Sequence, residues 1–438
     1  MQPAPESLQA PPSPPRFAID GLEPKRLSVP GTALELGSVL QEANSQGLAV
    51  MPFGAGSKQH IGNLPQRFDV ALSLERFGQV PDYEPQDLVV KVECGCRLAD
   101  LQARLAKDNL CLPLDPPSYE TATLGGIVAS NDSGPLRFSQ GTVRDFLIGI
   151  SVVQPDGAST KFGSRVVKNV TGYDMCKLYT GSFGTLGIFL DFFFKLKPLP
   201  PSEKTVLVRL RGLAGARQAL IRLFNSPLTP LAVELLNPAA LDRVNQAILL
   251  TQGTSYALAL RFGDVEKAVQ WQVEQLEKLC GDTSAQGVIV SDPGEQALFW
   301  RMLREDALWL VEPSILQVKL KVNYLPSQLV EVVQKLEIMQ AALGAGLRLK
   351  AHAGSGVIRA YLSFEEKEGT DSRFARQIHE LRAALKPSRG TVIIERAPAV
   401  LKRAIDVWGY DFKDRVVMRQ IRQRFDPGGI LNPGRFVV

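Results

Sequence analysis

The chain has 438 residues, too many for one ordinary domain and enough for two or three. Hydrophobic residues make up 45% and charged residues 22%, a balance that buries a large core. Lysine and arginine total 50 against 45 acidic residues, and the resulting +5 is spread over the whole length. So small an excess excludes an electrostatic case for nucleic acid or anionic membrane as the main partner.

No apolar run approaches the roughly 20 residues of a membrane span. The greasiest stretch, Leu186 to Leu196, is interrupted by Asp191 and Lys195. The N-terminus lacks the basic start and apolar core of a secretory signal, so a cytoplasmic location is expected, membrane-peripheral only through partners. Five cysteines (Cys94, Cys96, Cys111, Cys176, Cys280) are odd in number and include no C-x-x-C pair. Three histidines, His60, His352 and His379, lie far apart. Neither a disulfide framework, a zinc site nor an iron–sulfur cluster is supported, and any metal-based redox centre is expected from another chain.

In chain order, residues 1–16 carry six prolines, and a disordered proline-rich tail is expected over 1–29. A helical pattern (Leu34, Val39, Leu40, Ala43) leads to a strand at Leu48–Met51 and then to the glycine loop Pro52–Lys58. Val89–Val92 reads as strand and Leu98–Leu105 as helix. From Thr121 to Pro198, short β-branched runs alternate with glycine-rich turns, a density that marks backbone packed against something. Pro198–Pro201 is the expected linker. Beyond it, strand-like runs at Thr205–Leu210, Ala232–Leu236, Leu316–Val322, Val357–Phe364 and Val392–Glu395 are interleaved with amphipathic helices.

Successive amides in a glycine turn form an anion-binding concavity, which makes Gly54 and Gly56 candidates for a diphosphate. The loop is neither G-x-x-x-x-G-K-[ST] nor G-x-G-x-x-G, so it argues against a P-loop or Rossmann site. It is joined by Ala122-Thr-Leu-Gly-Gly126, Lys168-Asn-Val-Thr-Gly-Tyr-Asp174, Gly184-Thr-Leu-Gly-Ile188 and Leu431-Asn-Pro-Gly-Arg435. In this combination and order the chain resembles the PCMH-type FAD-binding (vanillyl-alcohol oxidase) superfamily, in its FAD-linked glycolate oxidase and D-lactate dehydrogenase branch.

The resemblance implies an α+β fold: a PCMH-type two-subdomain FAD-binding domain over 30–200 and an α/β cap over 201–398, one sheet covered by helices. A C-terminal segment, 399–438, would return to the FAD domain. It implies FAD contacts at Gly54, Ala55, Gly56, Ser57, Lys58, Thr123, Leu124, Gly125, Gly126, Asn131, Gly134, Gly184, Leu186, Ile188, Asn432 and Arg435. His60 lies two residues beyond Lys58, outside the glycine turn, so non-covalent FAD is expected.

Catalytic members of the branch carry motifs like H-x-G-D-G-N-x-H and E-H-G, which supply metal ligands and a base. Here the first reads Ala351-His-Ala-Gly-Ser-Gly-Val-Ile-Arg359, with Ser355 and Arg359 at the acidic and second histidine positions. The second reads Glu395-Arg396. Two arginines repel a cation, so no metal site is expected. No catalytic residue follows from sequence; Arg359, Arg396 and His352 are the candidates, with Tyr119, Tyr173 and Tyr361 open for a metal-free site.

These departures, and Phe183 where the catalytic subunit usually has glutamate, are similar to the GlcE family of glycolate oxidase subunits. That resemblance implies a catalytic FAD subunit and an iron–sulfur subunit as partners, and a small 2-hydroxyacid as substrate. A stand-alone FAD-linked oxidoreductase with a metal-free site and a non-catalytic FAD-binding assembly subunit remain as alternatives.

Overall fold

The computed structural model describes residues 17–165, 172–246, 248, 256–281, 286–290, 292–305 and 315–436. Helix Ala33–Gln46 starts where the Thr32 hydroxyl accepts from the Glu35 amide at 3.1 Å, and it ends at Gly47 in the left-handed region. Its buried residues Leu36, Leu40 and Ala43 lie on one face. The chain then enters strand Val50–Phe53, which pairs in parallel with Val70–Ser73, itself paired in parallel with Arg26–Ser28. The carboxyl end of Val50–Phe53 delivers the glycine loop.

A second, antiparallel sheet has the order Asp82–Glu84, Val89–Glu93, Ile188–Lys195, Leu147–Val153, Ser159–Gly163. The greasy stretch is its central strand, with Phe192 and Phe194 fully buried on one face. Leu98–Leu105 is helical, as its apolar spacing predicts.

The expected linker is tied down. Lys197–Pro198 pairs antiparallel with Leu110–Cys111, and Ser202–Leu210 follows at once as the first strand of the next sheet. That sheet has eight strands in the order Gln286–Val290, Ser202–Leu210, Tyr256–Asp264, Ala232–Leu236, Gly346–His352, Val357–Phe364, Leu316–Asn323, Thr391–Arg396. Every neighbouring pair is antiparallel. Mixed helix and sheet in a two-domain architecture is the fold class expected.

The alternation along the eight-stranded sheet decides what each face does. In Leu316–Asn323, Val318, Leu320 and Val322 are buried in the core made with helices such as Leu329–Leu343 and Thr370–Leu385. Lys319, Lys321 and Asn323 point the opposite way, toward the FAD-binding half. Strand Gly346–His352 escapes the sequence reading, because its run Leu347, Leu349, Ala351 is short and follows directly on a helix.

Residues 17–29 correct the expected tail. Phe17 packs edge-on to Phe53 at 5.2 Å, Ile19 is buried, and Asp20 receives the Lys402 ammonium at 2.8 Å. Two apolar side chains just after the prolines are enough to fasten this stretch to the sheet. Residues 1–16 lie outside the described residues, as do 168–171 of the Lys168–Asp174 motif.

The C-terminal residues extend the first sheet. The Val50 amide donates to Ile430 O at 2.8 Å and the Asn432 amide to Val50 O at 3.0 Å, while Ile430 and Leu431 are buried in the FAD-domain core. Leu431→Ala is expected to cost about 2–5 kcal/mol, the usual cost of emptying a buried leucine site. Urea denaturation followed by circular dichroism measures it.

Candidate functional site

The carboxyl end of Val50–Phe53, the N-terminal turn of helix Leu124–Ser130, the turn before Ile188–Lys195 and the C-terminal return line one cavity that is open to solvent. It takes in Gly54, Ala55, Gly56, Ser57, Lys58, Thr123, Gly125, Gly126, Gly184, Ile188, Asn432 and Arg435. Four residues expected there lie elsewhere. Leu124 and Leu186 are buried in the FAD-domain core. Gly134 is pressed against Asp115, where a Cβ would come within 1.9 Å of the Asp115 carbonyl oxygen. Asn131 lines an adjoining chamber.

Small residues keep the cavity open. A Cβ on Gly54 would meet Thr123 Oγ1 at 2.1 Å, and one on Gly125 would meet Cys94 O at 2.9 Å. Gly56, at φ 75°, holds the loop in the left-handed region. Among the described residues no acceptor takes the amides of Ala55, Gly56 or Ser57, so they are available to an anion. The Lys58 ammonium is not: it is ion-paired with Asp132.

At the far end, Arg435 Nη2 donates to Gln59 O at 2.7 Å and to Ile61 O at 2.5 Å, while buried Nη1 has no partner among the described residues. Burial pushes this guanidinium down to about 10. Phe183 sits in the left-handed region at φ 52°, a conformation that costs a non-glycine residue about 1–2 kcal/mol. It is held there because its amide donates to Ala129 O at 2.9 Å and its carbonyl accepts from Asn432 Nδ2 at 2.6 Å. The strain places its ring against Trp408 (4.9 Å) and Phe436 (5.1 Å), an aromatic wall at the cavity.

Phe183 and Trp408 also border the second chamber, which lies between this wall and the cap sheet. It is lined by Asn131, Asp132, Lys321, Asn323, Thr391, Glu395 and Tyr410 among others. Its floor is a chain of buried charge: Lys58 to Asp132, Asp132 to Arg359 (2.5 Å), Arg359 to Glu395, and Glu395 to Lys319 (2.9 Å). Burial opposes ionisation of both carboxylates. The charges of Arg359 and Lys58 at Asp132, and of Arg359 and Lys319 at Glu395, together outweigh it. Asp132 is held well below the usual carboxylate range and Glu395 down to about 2.

Of the catalytic candidates, Arg359 is thus committed to two carboxylates. His352 is buried with Nδ1 2.5 Å from Glu234 Oε1 and Nε2 without a partner among the described residues. Arg396 is exposed and lines neither space. Tyr173 is 91% exposed, Tyr119 lies under Arg304 at 4.0 Å, and Tyr361 packs beside Lys319 and Lys350; none lines either space. The donor set does not fit a divalent cation, because Glu395 already accepts from an arginine and a lysine and His352 is held by Glu234.

The sequence matches the FAD binding domain family over residues 24–163 and the C-terminal domain of FAD linked oxidases over 199–436. The second match alone spans more than half of the chain. The chain belongs to the FAD-linked oxidases. It is 25% identical to glycolate oxidase subunit GlcD of Bacillus subtilis over 421 residues, 94% of this chain and 88% of that protein. Mitochondrial D-lactate dehydrogenase [cytochrome] of Arabidopsis thaliana is 24% identical, with 93% of this chain and 72% of that protein covered. Glycolate oxidase subunit GlcE of Escherichia coli is 35% identical over 155 residues, which are 35% of this chain and 43% of that protein. In fold the chain resembles p-cresol methylhydroxylase, with a TM-score of 0.70 and 14% identity over 93% of this chain and 88% of that one.

FAD is therefore the cofactor, and the cavity suits it: unpaired amides and a spare guanidinium nitrogen for polar groups, an aromatic and aliphatic wall for rings. Sequence reasoning missed Trp408 and Lys321, which lie in no motif, and Phe436, which directly follows the Leu431–Arg435 motif.

An added Cβ at Gly126 finds protein no closer than Thr123 Oγ1 at 3.5 Å, so Gly126→Val projects into the cavity without a backbone clash. It is expected to fold with a melting temperature near wild type and to lose most of its visible flavin absorbance. Arg359→Gln leaves two buried carboxylates short of a cation and is expected to cost about 3–5 kcal/mol near neutral pH in urea denaturation. Glu395 falls from 4.5 to about 2 on folding, so its contribution is complete above pH 4.5 and disappears as pH falls toward 2. The gap between wild type and variant is expected to narrow across that window.

Proposed function

We propose that this chain is the FAD-binding subunit, of the GlcE kind, in a complex that oxidises glycolate or a similar 2-hydroxyacid to the 2-oxoacid. The observation that carries this reading is the junction of a glycine-lined cavity with a polar, cationic chamber at the face of the cap sheet. In that arrangement residues 30–200 form the FAD-binding domain, 201–398 the cap and 399–438 the returning segment. FAD, when bound, accepts two electrons from the substrate; the chain's own residues position both. The amides of Ala55, Gly56 and Ser57 and the Arg435 side chain would hold FAD, beside Thr123, Gly125, Gly126, Gly184, Ile188 and Asn432.

The GlcE likeness at 35% identity supports the subunit role. The sparse cysteines, without a C-x-x-C pair, support an iron–sulfur partner as the next electron carrier. Non-covalent attachment is supported by His60, which lies outside the cavity lining and gives its carbonyl to Lys402, and by Cys94, whose thiol burial pushes up. A stand-alone oxidoreductase with a metal-free site is the second reading, and the presence of a chamber in this chain favours it.

The purified chain is expected to be yellow and to release its flavin on acid precipitation. Glycolate or D-lactate added without oxygen is expected to bleach it, with rapid reoxidation only once an iron–sulfur subunit is supplied. Flavin that stays oxidised until partner subunits are added would confine this chain to electron relay. Rapid turnover with oxygen or dyes alone would favour the stand-alone enzyme.

A further inference from the structure

The second chamber contains two polar groups that the protein leaves unsatisfied. Lys321 lines it, and among the described residues its ammonium has no ion-pair or hydrogen-bond partner. The carboxylates nearest in the charge chain are already taken: Asp132 by Lys58 and Arg359, Glu395 by Arg359 and Lys319. Four cations, Lys58, Lys319, Lys321 and Arg359, thus stand against two carboxylates, and Arg137 adds to the same sign around Lys321. The other unsatisfied group is the side-chain amide oxygen of Asn131, buried at the same chamber without a donor. Lys321 is half-buried and faces the chamber, while the Asn131 oxygen is fully buried, and a buried polar group without a partner is costly unless a ligand supplies one.

We propose that Lys321 is the carboxylate anchor of this chain's substrate chamber, and that the Asn131 amide oxygen accepts a hydrogen bond from the substrate hydroxyl. The ligand class that satisfies both is a small monoanion bearing a carboxylate and an adjacent hydroxyl. The assignment rests on the oxidoreductase reading above and adds to it the residues that hold the substrate. Lys321 reaches the chamber because Leu316–Asn323 turns its odd-numbered residues away from the helices. Asn131 reaches it as the residue that ends helix Leu124–Ser130, in the left-handed region at φ 48°. The two groups therefore come from opposite domains, and a ligand held by both would bridge them. Burial lowers the Lys321 ammonium from its ordinary value, and an anion beside it would restore the charged form.

Oxalate, a planar dicarboxylate, is the probe for the anchor. Titration calorimetry of the full chain as purified, at low ionic strength, gives its affinity whether or not flavin is present. Lys321→Met is expected to weaken oxalate about 10- to 100-fold, the loss of one charge-assisted hydrogen bond. Lys321→Gln is the second variant should the first melt early. Arg396→Met, which removes an exposed cation lining neither space, is expected to leave oxalate affinity unchanged. FAD content and flavin midpoint potential are read on the same samples and are expected to stay at wild-type values. Wild type that fails to take up oxalate, or Lys321 variants that bind it normally, would overturn the assignment. A shifted flavin potential with unchanged oxalate affinity would give Lys321 to the flavin instead. A chain without FAD that still shows the Lys321-dependent oxalate affinity would sink the flavin reading and leave the anchor standing.

Discussion

The bond on which the site depends is the buried guanidinium of Arg359 between Asp132 of the FAD-binding half and Glu395 of the cap sheet. Arg359 is 1% exposed, and its two partners are almost as deeply buried. Removing either carboxylate would strand a charge in low dielectric, so the three are coupled in a way surface pairs are not. Lys58 extends the chain into the glycine loop, and Lys319 extends it along the cap strand. The position of the cap relative to the cofactor cavity is thereby fixed by electrostatics across the domain junction. An apolar junction of the same area would resist separation but would specify orientation less sharply.

The same network accounts for a chemical departure. In place of the acid and histidine that the resembled motif implies, this chain brings arginine and lysine to its buried acids. Glu395 is retained, yet its carboxylate is spent on Arg359 and Lys319. A fixed guanidinium is a permanent positive charge that needs no loading and cannot dissociate. Lys321 is the cation left over, and the polar chamber is arranged around it.

On the cofactor side, the backbone does most of the work. Amides of the glycine loop are unpaired, and the turn before Ile188–Lys195 is bent through the left-handed Phe183 and Gly184. Asn432 holds the Phe183 carbonyl while its own amide joins the sheet at Val50, so the C-terminal return locks both the aromatic wall and the first strand. The strain at Phe183 is sustained by the Ala129 carbonyl, the Asn432 amide and the rings of Trp408 and Phe436, which all hold it.

The sequence by itself determined the glycine loops, the family resemblance, five of the eight strands of the cap sheet, and the loss of the acid-and-histidine motif. These are local matters: turn chemistry, periodicity and residue identity within a short window. Leu98–Leu105, Ala232–Leu236, Leu329–Leu343 and Val357–Phe364 form where their patterns place them. It did not determine that the side chains of Leu124 and Leu186 face the core while Thr123, Gly125 and Gly187 reach the cavity, since a motif does not say which atoms point inward. Nor did it reveal the partners of Arg359, which lies 227 residues from Asp132 and 36 from Glu395. Lys319 and Lys321 alternate with apolar residues in their strand, and the alternation does not say what they face. Only the tertiary structure turned that face toward the FAD-binding half, where Lys319 pairs with Glu395 and Lys321 has no partner among the described residues.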